Sequence, residues 1–223
     1  MVSLGNVFIL GDSYSTFSGF IPEGYVTYYP EEKIDVKDVK DTWWQQLLDA
    51  TNSHLVKNCS YSGTTVCKTG YGPRDCSEIC FIGRIEKLIE NGFFKENTID
   101  TFFVFGGTND HWVPSPIGEV KFSDWENEEL FSFAPAVCYL LSKLKKELPK
   151  TRIVCILNTE LNPKITDGFK AACEHFGAEY VALENIVKQN GHPNKKGMTA
   201  IKEQILEYFE KNLNIACKLK RKV

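Results

Sequence analysis

Short, continuous apolar runs alternate along this chain with longer stretches in which apolar residues recur every third or fourth position. The runs fall at 7–10, 54–58, 101–105, 152–158 and 179–183. Their length and β-branched or aromatic character predict strands buried on both faces. Helical periodicity predicts helices between them. The stretch 42–51 carries Trp43, Trp44, Leu47 and Leu48, and 79–90 carries Phe81, Ile82, Ile85, Leu88 and Ile89. The stretch 128–148 contains Pro135, which has no N–H to donate, so the helix is expected to kink or start there. A helix at 163–176 opens on Pro163, suited to a first turn, and 196–213 closes the chain. Strands alternating with helices imply a parallel sheet covered on both sides, a three-layer α/β/α sandwich. Two long irregular stretches, 14–41 and 111–127, follow strand ends. In open α/β sheets that edge is where ligands bind, so both are expected to wall a pocket. Without repeat, linker or low-complexity segment, the 223 residues read as one domain, 1–223.

Composition narrows the class. With 43% hydrophobic and 25% charged residues the chain reads as globular and not disordered. The net charge of −3 and the lack of a sustained basic stripe argue against nucleic acid as a partner. The basic tail at 218–222 is short and reads as a frayed, solvated end. No apolar stretch approaches the length of a membrane span. The run at 7–10 is too short for a signal-peptide core and lacks a basic flank, so a cytoplasmic location is expected. The eight cysteines do not suggest a disulfide set in a cytosolic domain of this size. Cys59, Cys138, Cys155 and Cys173 sit among apolar residues and read as small core residues. Cys67, Cys76 and Cys80 crowd one segment, where irregular spacing and no neighbouring histidine favour thiols over a zinc site.

Four turns carry candidate chemistry. Gly11-Asp12-Ser13 follows the first strand and would hold the serine hydroxyl outward on a sharp turn, as a nucleophile needs. Asn58 to Thr65 follows the second strand; there Gly63 allows close backbone approach and could offer its N–H to an oxyanion. Gly106-Gly107-Thr108-Asn109-Asp110 follows the third strand and would project the Asn109 amide, a good oxyanion donor, at the same edge. Gly191-His192-Pro193-Asn194 precedes the last helix and places an imidazole at its entry, suited to a general base. Nucleophile, base and oxyanion donors together are what acyl transfer requires. Asp12 is expected to support its turn and Asp110 to brace its own loop. His54, His111 and His175 are read as structural or exposed.

In these four blocks, in order, the chain resembles the SGNH hydrolases, the GDSL esterase/lipase superfamily. The resemblance spans nearly the whole chain. It implies a flavodoxin-like five-stranded parallel sheet of order 2-1-3-4-5. It also implies a serine esterase that works without metal or cofactor through an acyl-serine intermediate, with Ser13 as nucleophile, His192 as base and Ser13, Gly63 and Asn109 around the oxyanion. No G-x-S-x-G elbow occurs. The family usually has an aspartate three residues before the histidine, and here that position is Gln189. A backbone carbonyl near Gln189, making a Ser-His dyad, is favoured over Glu160, behind the fourth strand, as the group orienting His192.

The expected partner is a small-molecule ester, small or carbohydrate-linked, with O-deacetylation among the options. Lysophospholipid and thioester are alternative substrates. The aromatic loop 14–41, with Phe17, Phe20, Tyr25, Tyr28 and Tyr29, suits either stacking on sugar or lining an acyl pocket. The competing class is a non-catalytic carbohydrate- or ligand-binding module on the same fold, since fold does not dictate function. A nucleotide or flavin protein is disfavoured because the G-x-G-x-x-G and P-loop patterns are missing.

Overall fold

A computed structural model describes residues 2–72 and 75–220, with side chains placed up to residue 213. The basic tail at 218–222 lies outside the described side chains. Five strands form a parallel sheet: β1 (Asn6–Gly11), β2 (His54–Asn58), β3 (Thr101–Phe105), β4 (Arg152–Leu157) and β5 (Glu179–Ala182), in the order β2-β1-β3-β4-β5. The sheet is doubly covered because its strands alternate. Phe8, Leu10, Phe102, Val104, Ile153, Cys155 and Leu157 face one core. There they meet helices α2 (Phe81–Glu90), α5 (Phe133–Glu147) and α6 (Pro163–Phe176). Val7, Ile9, Phe103, Phe105, Val154, Ile156 and Val181 face the other core, with α1 (Trp43–Thr51) and α7 (Lys195–Lys220). The period of two along each strand puts successive side chains on opposite faces, so both must be apolar. Among the described residues no helix is long and apolar enough to cross a membrane.

The pattern placed the main elements, and the differences have local causes. The expected helix at 128–148 is split. A 3₁₀ turn, Asn127–Phe131, ends at Ser132, and α5 begins at Phe133, putting Pro135 in the first turn where a missing N–H costs nothing. The Phe133 and Ala134 N–H groups donate instead to the Pro116 and Ile117 carbonyls. Part of the irregular stretch 111–127 belongs to a one-turn helix, α4 (Thr108–Trp112), and a second short helix, α3 (Phe93–Glu96), was not foreseen. Also unforeseen is a hairpin of β6 (Lys188–Gln189) and β7 (His192–Pro193), closed by Asn190 and Gly191. Both closing residues have positive φ, 52° and 75°. Positive φ at both positions is what a two-residue hairpin turn needs, and Asn-Gly supplies it with least strain. Cys59, Cys67, Cys80, Cys138, Cys155 and Cys173 are buried free thiols.

One buried cation gathers the strand ends. Arg84, in α2, is 1% exposed. Its guanidinium donates to the carbonyls of Gly11 at the end of β1 and of Cys59 just past β2. It also donates to Thr64 Oγ1 at 3.0 Å and to the Ile79 carbonyl at 2.9 Å, and lies over the Phe81 ring. Residue 83 is glycine for a different reason: a Cβ there would lie 1.8 Å from the Ser77 carbonyl oxygen of the segment leading into α2. Replacing Arg84 by methionine removes this donor from the Cys59 and Ile79 carbonyls and from Thr64, while the Gly11 carbonyl keeps the Tyr61 N–H. Arg84→Met is expected to cost about 3–5 kcal/mol of stability. A urea midpoint unchanged from wild type would contradict this role.

Candidate active site

The turn after β1 presents Ser13. Asp12 caps the short 3₁₀ helix Ser13–Ser15, its Oδ1 accepting from the Tyr14 N–H at 3.0 Å. The turn is anchored behind by the Ser15 carbonyl, which accepts from Asn58 Nδ2 at 2.8 Å and Trp44 Nε1 at 3.1 Å. Far away in sequence, the β6–β7 hairpin brings His192 to this turn. His192 Nε2 lies 2.9 Å from Ser13 Oγ, and Nδ1 lies 3.1 Å from the Asn190 carbonyl oxygen. A carbonyl can only accept, so the proton sits on Nδ1 and Nε2 is left as the acceptor facing the serine hydroxyl. His192 is 8% exposed, and burial holds its pKa below the ordinary 6.5, against the opposing pull of the Asn190 carbonyl. The imidazole is therefore neutral at neutral pH.

The carbonyl that reaches His192 belongs to Asn190, next to Gln189. Gln189 pairs with His192 across the hairpin, whereas the left-handed backbone at Asn190 turns its own carbonyl onto the ring. Glu160 is turned elsewhere. Its side chain is 81% exposed and its Oε2 lies 3.0 Å from Lys188 Nζ.

Asn109 lies in α4, 1% exposed. Its Nδ2 donates to the Thr64 carbonyl at 3.0 Å, and its Oδ1 accepts from the Tyr71 hydroxyl at 2.8 Å. These two bonds fix the amide's orientation and leave one N–H of Nδ2 to spare. The same bond ties α4 to the turn holding Gly63. Gly63 has φ +77°, and a Cβ there would meet open space, so backbone conformation and not crowding calls for glycine. Asp110 braces more than its own loop. It reaches across to accept from the Val66 N–H at 2.9 Å and the Cys67 N–H at 3.2 Å, fixing the loop beyond Gly63. Burial pushes the Asp110 carboxyl up to about 6 and that of Asp12 up to about 7. Asp12 Oδ2 has no hydrogen-bond partner among the described residues, as suits a carboxyl at the edge of protonation.

The aromatic loop divides. Tyr29 and Phe17 are core residues, Tyr25 stacks on Tyr61, and Phe20 is 43% exposed. Tyr28 lies on His192. Sequence reading did not single out Arg84, Tyr71 or the tyrosine contacts to the hairpin. The Asn190-Gly191 dipeptide was the one available signal for the hairpin.

A family model described as GDSL-like Lipase/Acylhydrolase matches residues 5–209, and the chain belongs to that family. It is a hydrolase acting on ester bonds. Two solved structures, of proteins described as GDSL-like lipases, are similar throughout. That from Bacteroides ovatus is 39% identical with a TM-score of 0.87, covering 94% of this chain and 99% of its own. That from Bacteroides uniformis is 42% identical with a TM-score of 0.85, covering 92% and 94%. An acetyl xylan esterase from the rumen bacterium Butyrivibrio proteoclasticus shares the fold at 19% identity and a TM-score of 0.61, over 96% of this chain and 65% of its own. No curated protein sequence matches the chain.

Exposed and paired with Lys188, Glu160 has no contact through which to act on His192. Glu160→Gln is therefore expected to keep kcat for ester hydrolysis within about threefold of wild type, the scale of losing an exposed ion pair. A kcat loss of several hundredfold would restore it as the orienting acid.

Proposed function

We propose that the protein is a serine esterase that removes short acyl groups, acetyl foremost, from a small or carbohydrate-linked alcohol through an acyl-Ser13 intermediate. The observation that carries this reading is the 2.9 Å contact of Ser13 Oγ with the unprotonated Nε2 of His192. His192 takes the Ser13 proton as Oγ attacks the ester carbonyl. The oxyanion is held by the Ser13 and Gly63 backbone N–H groups and the spare N–H of Asn109. His192 then hands its proton to the leaving alcohol, and a water activated by the same nitrogen releases the acid. The Asn190 carbonyl keeps the tautomer correct through both halves, so Ser13 and His192 work as a dyad.

A cavity opens beside the hairpin that carries the histidine. It measures about 120 Å³ and is lined by Tyr14, Trp112, Asn158, Glu160, Leu161 and Gly191 among others. The mixed polar and aromatic lining is compatible with a sugar-linked ester, the kind of substrate named for the acetyl xylan esterase that shares the fold.

Hydrolysis of p-nitrophenyl acetate, butyrate and octanoate by wild type and Ser13→Ala tests the reading. Turnover should fall from acetate to octanoate and vanish in the mutant; equal rates in the two proteins would overturn it. Asn109→Ala should fold normally and lose about 10²–10³ in kcat. Wild-type turnover in that variant would remove Asn109 from the oxyanion site. The pH dependence has a definite sign. The neutral imidazole is the active form and its pKa is depressed, so kcat/KM should rise with pH to a plateau, with a midpoint below 6.5. The midpoint should persist in Asp12→Asn; a limb that disappears there belongs to Asp12, not His192.

A further inference from the structure

Three consecutive residues of the histidine hairpin are each held by a tyrosine. The Tyr14 hydroxyl donates to the Gly191 carbonyl at 2.6 Å, and the Tyr29 hydroxyl donates to the Pro193 carbonyl at 2.7 Å. Between them Tyr28 lies flat on the His192 imidazole, with ring centroids 3.5 Å apart and planes 9° from parallel. Trp112 closes on the imidazole edge-on, its centroid 5.6 Å away. Tyr28 is also tied to the nucleophile's own turn. Its N–H donates to Thr16 Oγ1 at 2.8 Å, and that hydroxyl donates to the Ser13 carbonyl at 3.0 Å.

These contacts meet a specific need. The Asn190 carbonyl holds one ring atom, and a ring tethered at a single atom still tips about its Cβ–Cγ bond. A neutral carbonyl also offers a proton acquired by Nε2 less compensation than a carboxylate would. A flat aromatic face corrects both. It blocks tipping toward the loop, and its negative quadrupole favours a cation lying against it.

We propose that Tyr28 is a positioning residue for His192, its ring face keeping the imidazole in line with Ser13 and stabilising the imidazolium that forms when the Ser13 proton moves to Nε2. With the Asn190 carbonyl it takes over the part a triad carboxylate would play. The proton then leaves with the alcohol, so the stack favours the intermediate charge state and consumes nothing. The inference rests on the esterase reading above.

Tyr28→Leu and Tyr28→Phe separate stacking from every other role of this side chain. Tyr28 is half-buried, and leucine keeps the apolar bulk while removing the face. Tyr28→Leu should lose about tenfold in kcat on p-nitrophenyl acetate with KM nearly unchanged, and Tyr28→Phe should recover most of it. A rise in KM at constant kcat, or a phenylalanine variant as slow as the leucine one, would overturn the proposal. Diethyl pyrocarbonate labelling of His192, followed by peptide mass, reads the clamp without turnover. His192 should carbethoxylate faster in Tyr28→Leu than in wild type or Tyr28→Phe, and equal rates in all three would overturn it. If wild type shows no turnover above Ser13→Ala, the esterase reading fails, and the labelling alone decides whether the stack holds the ring.

Discussion

The buried Arg84 guanidinium is the interaction on which the site's architecture rests. Two strand ends, at Gly11 and Cys59, come together beneath Ser13, and their carbonyls share this guanidinium. Burying an arginine is costly unless its donors find partners. Arg84 meets that condition with backbone carbonyls and a threonine hydroxyl in place of a carboxylate. Four partners drawn from three segments fix the turns after β1 and β2 relative to one another. The serine on one and Gly63 on the other thereby acquire a common frame, while the Asn109–Thr64 bond adds α4 to it.

Burial, more than that cation, sets the electrostatics of the layer beneath the site. The acids packed there are Asp12 and Asp110, both fully buried. Desolvation is the largest influence on each and opposes ionisation; Arg84 pulls Asp12 the other way, and the two acids repel. With carboxyl pKa values of about 7 and about 6, the pair shares between one and two negative charges near neutral pH against one guanidinium. Neither acid is among the groups that shift the imidazole, which are its own burial first, then the Asn190 carbonyl, Glu31 and Lys188. Neither aspartate touches His192, and each holds a loop through N–H groups instead.

Much of the fold was legible because both faces of the sheet are buried. Strands such as 101–105 must then be apolar throughout, and each amphipathic helix carries one apolar stripe, so strand and helix signals were strong. The split at Ser132 was less visible, because Pro135 fits a first turn as well as a kink and only the Pro116 and Ile117 carbonyls decide between them. In the site, Ser13, Gly63, Asn109 and His192 announced themselves by turn chemistry at strand ends. Arg84 did not, since an arginine within an amphipathic helix ordinarily reads as solvated. Its burial depends on two strand ends distant in sequence. Tyr28 was one aromatic among six in an irregular loop, and no local pattern separates a ring stacked on His192 from one, such as Phe17, packed into the core.

The replacement of a carboxylate by a carbonyl changes what must hold the histidine. An aspartate would grip Nδ1 with a charged bond, and the hairpin carrying the histidine could be positioned more loosely. A carbonyl two residues away in the same tight turn is only as well placed as the turn itself. The precision therefore has to come from the hairpin: from the left-handed pair Asn190 and Gly191, and from hydroxyls of Tyr14 and Tyr29 that hold the carbonyls on either side of His192. Tyr14 adjoins the nucleophile and Tyr29 belongs to the loop that follows it. The histidine is thus referenced to the serine's own segment and not to a separate acidic element. Such an arrangement gives up a charge beside the imidazole and gains an imidazole whose alignment is built into the loop that follows Ser13.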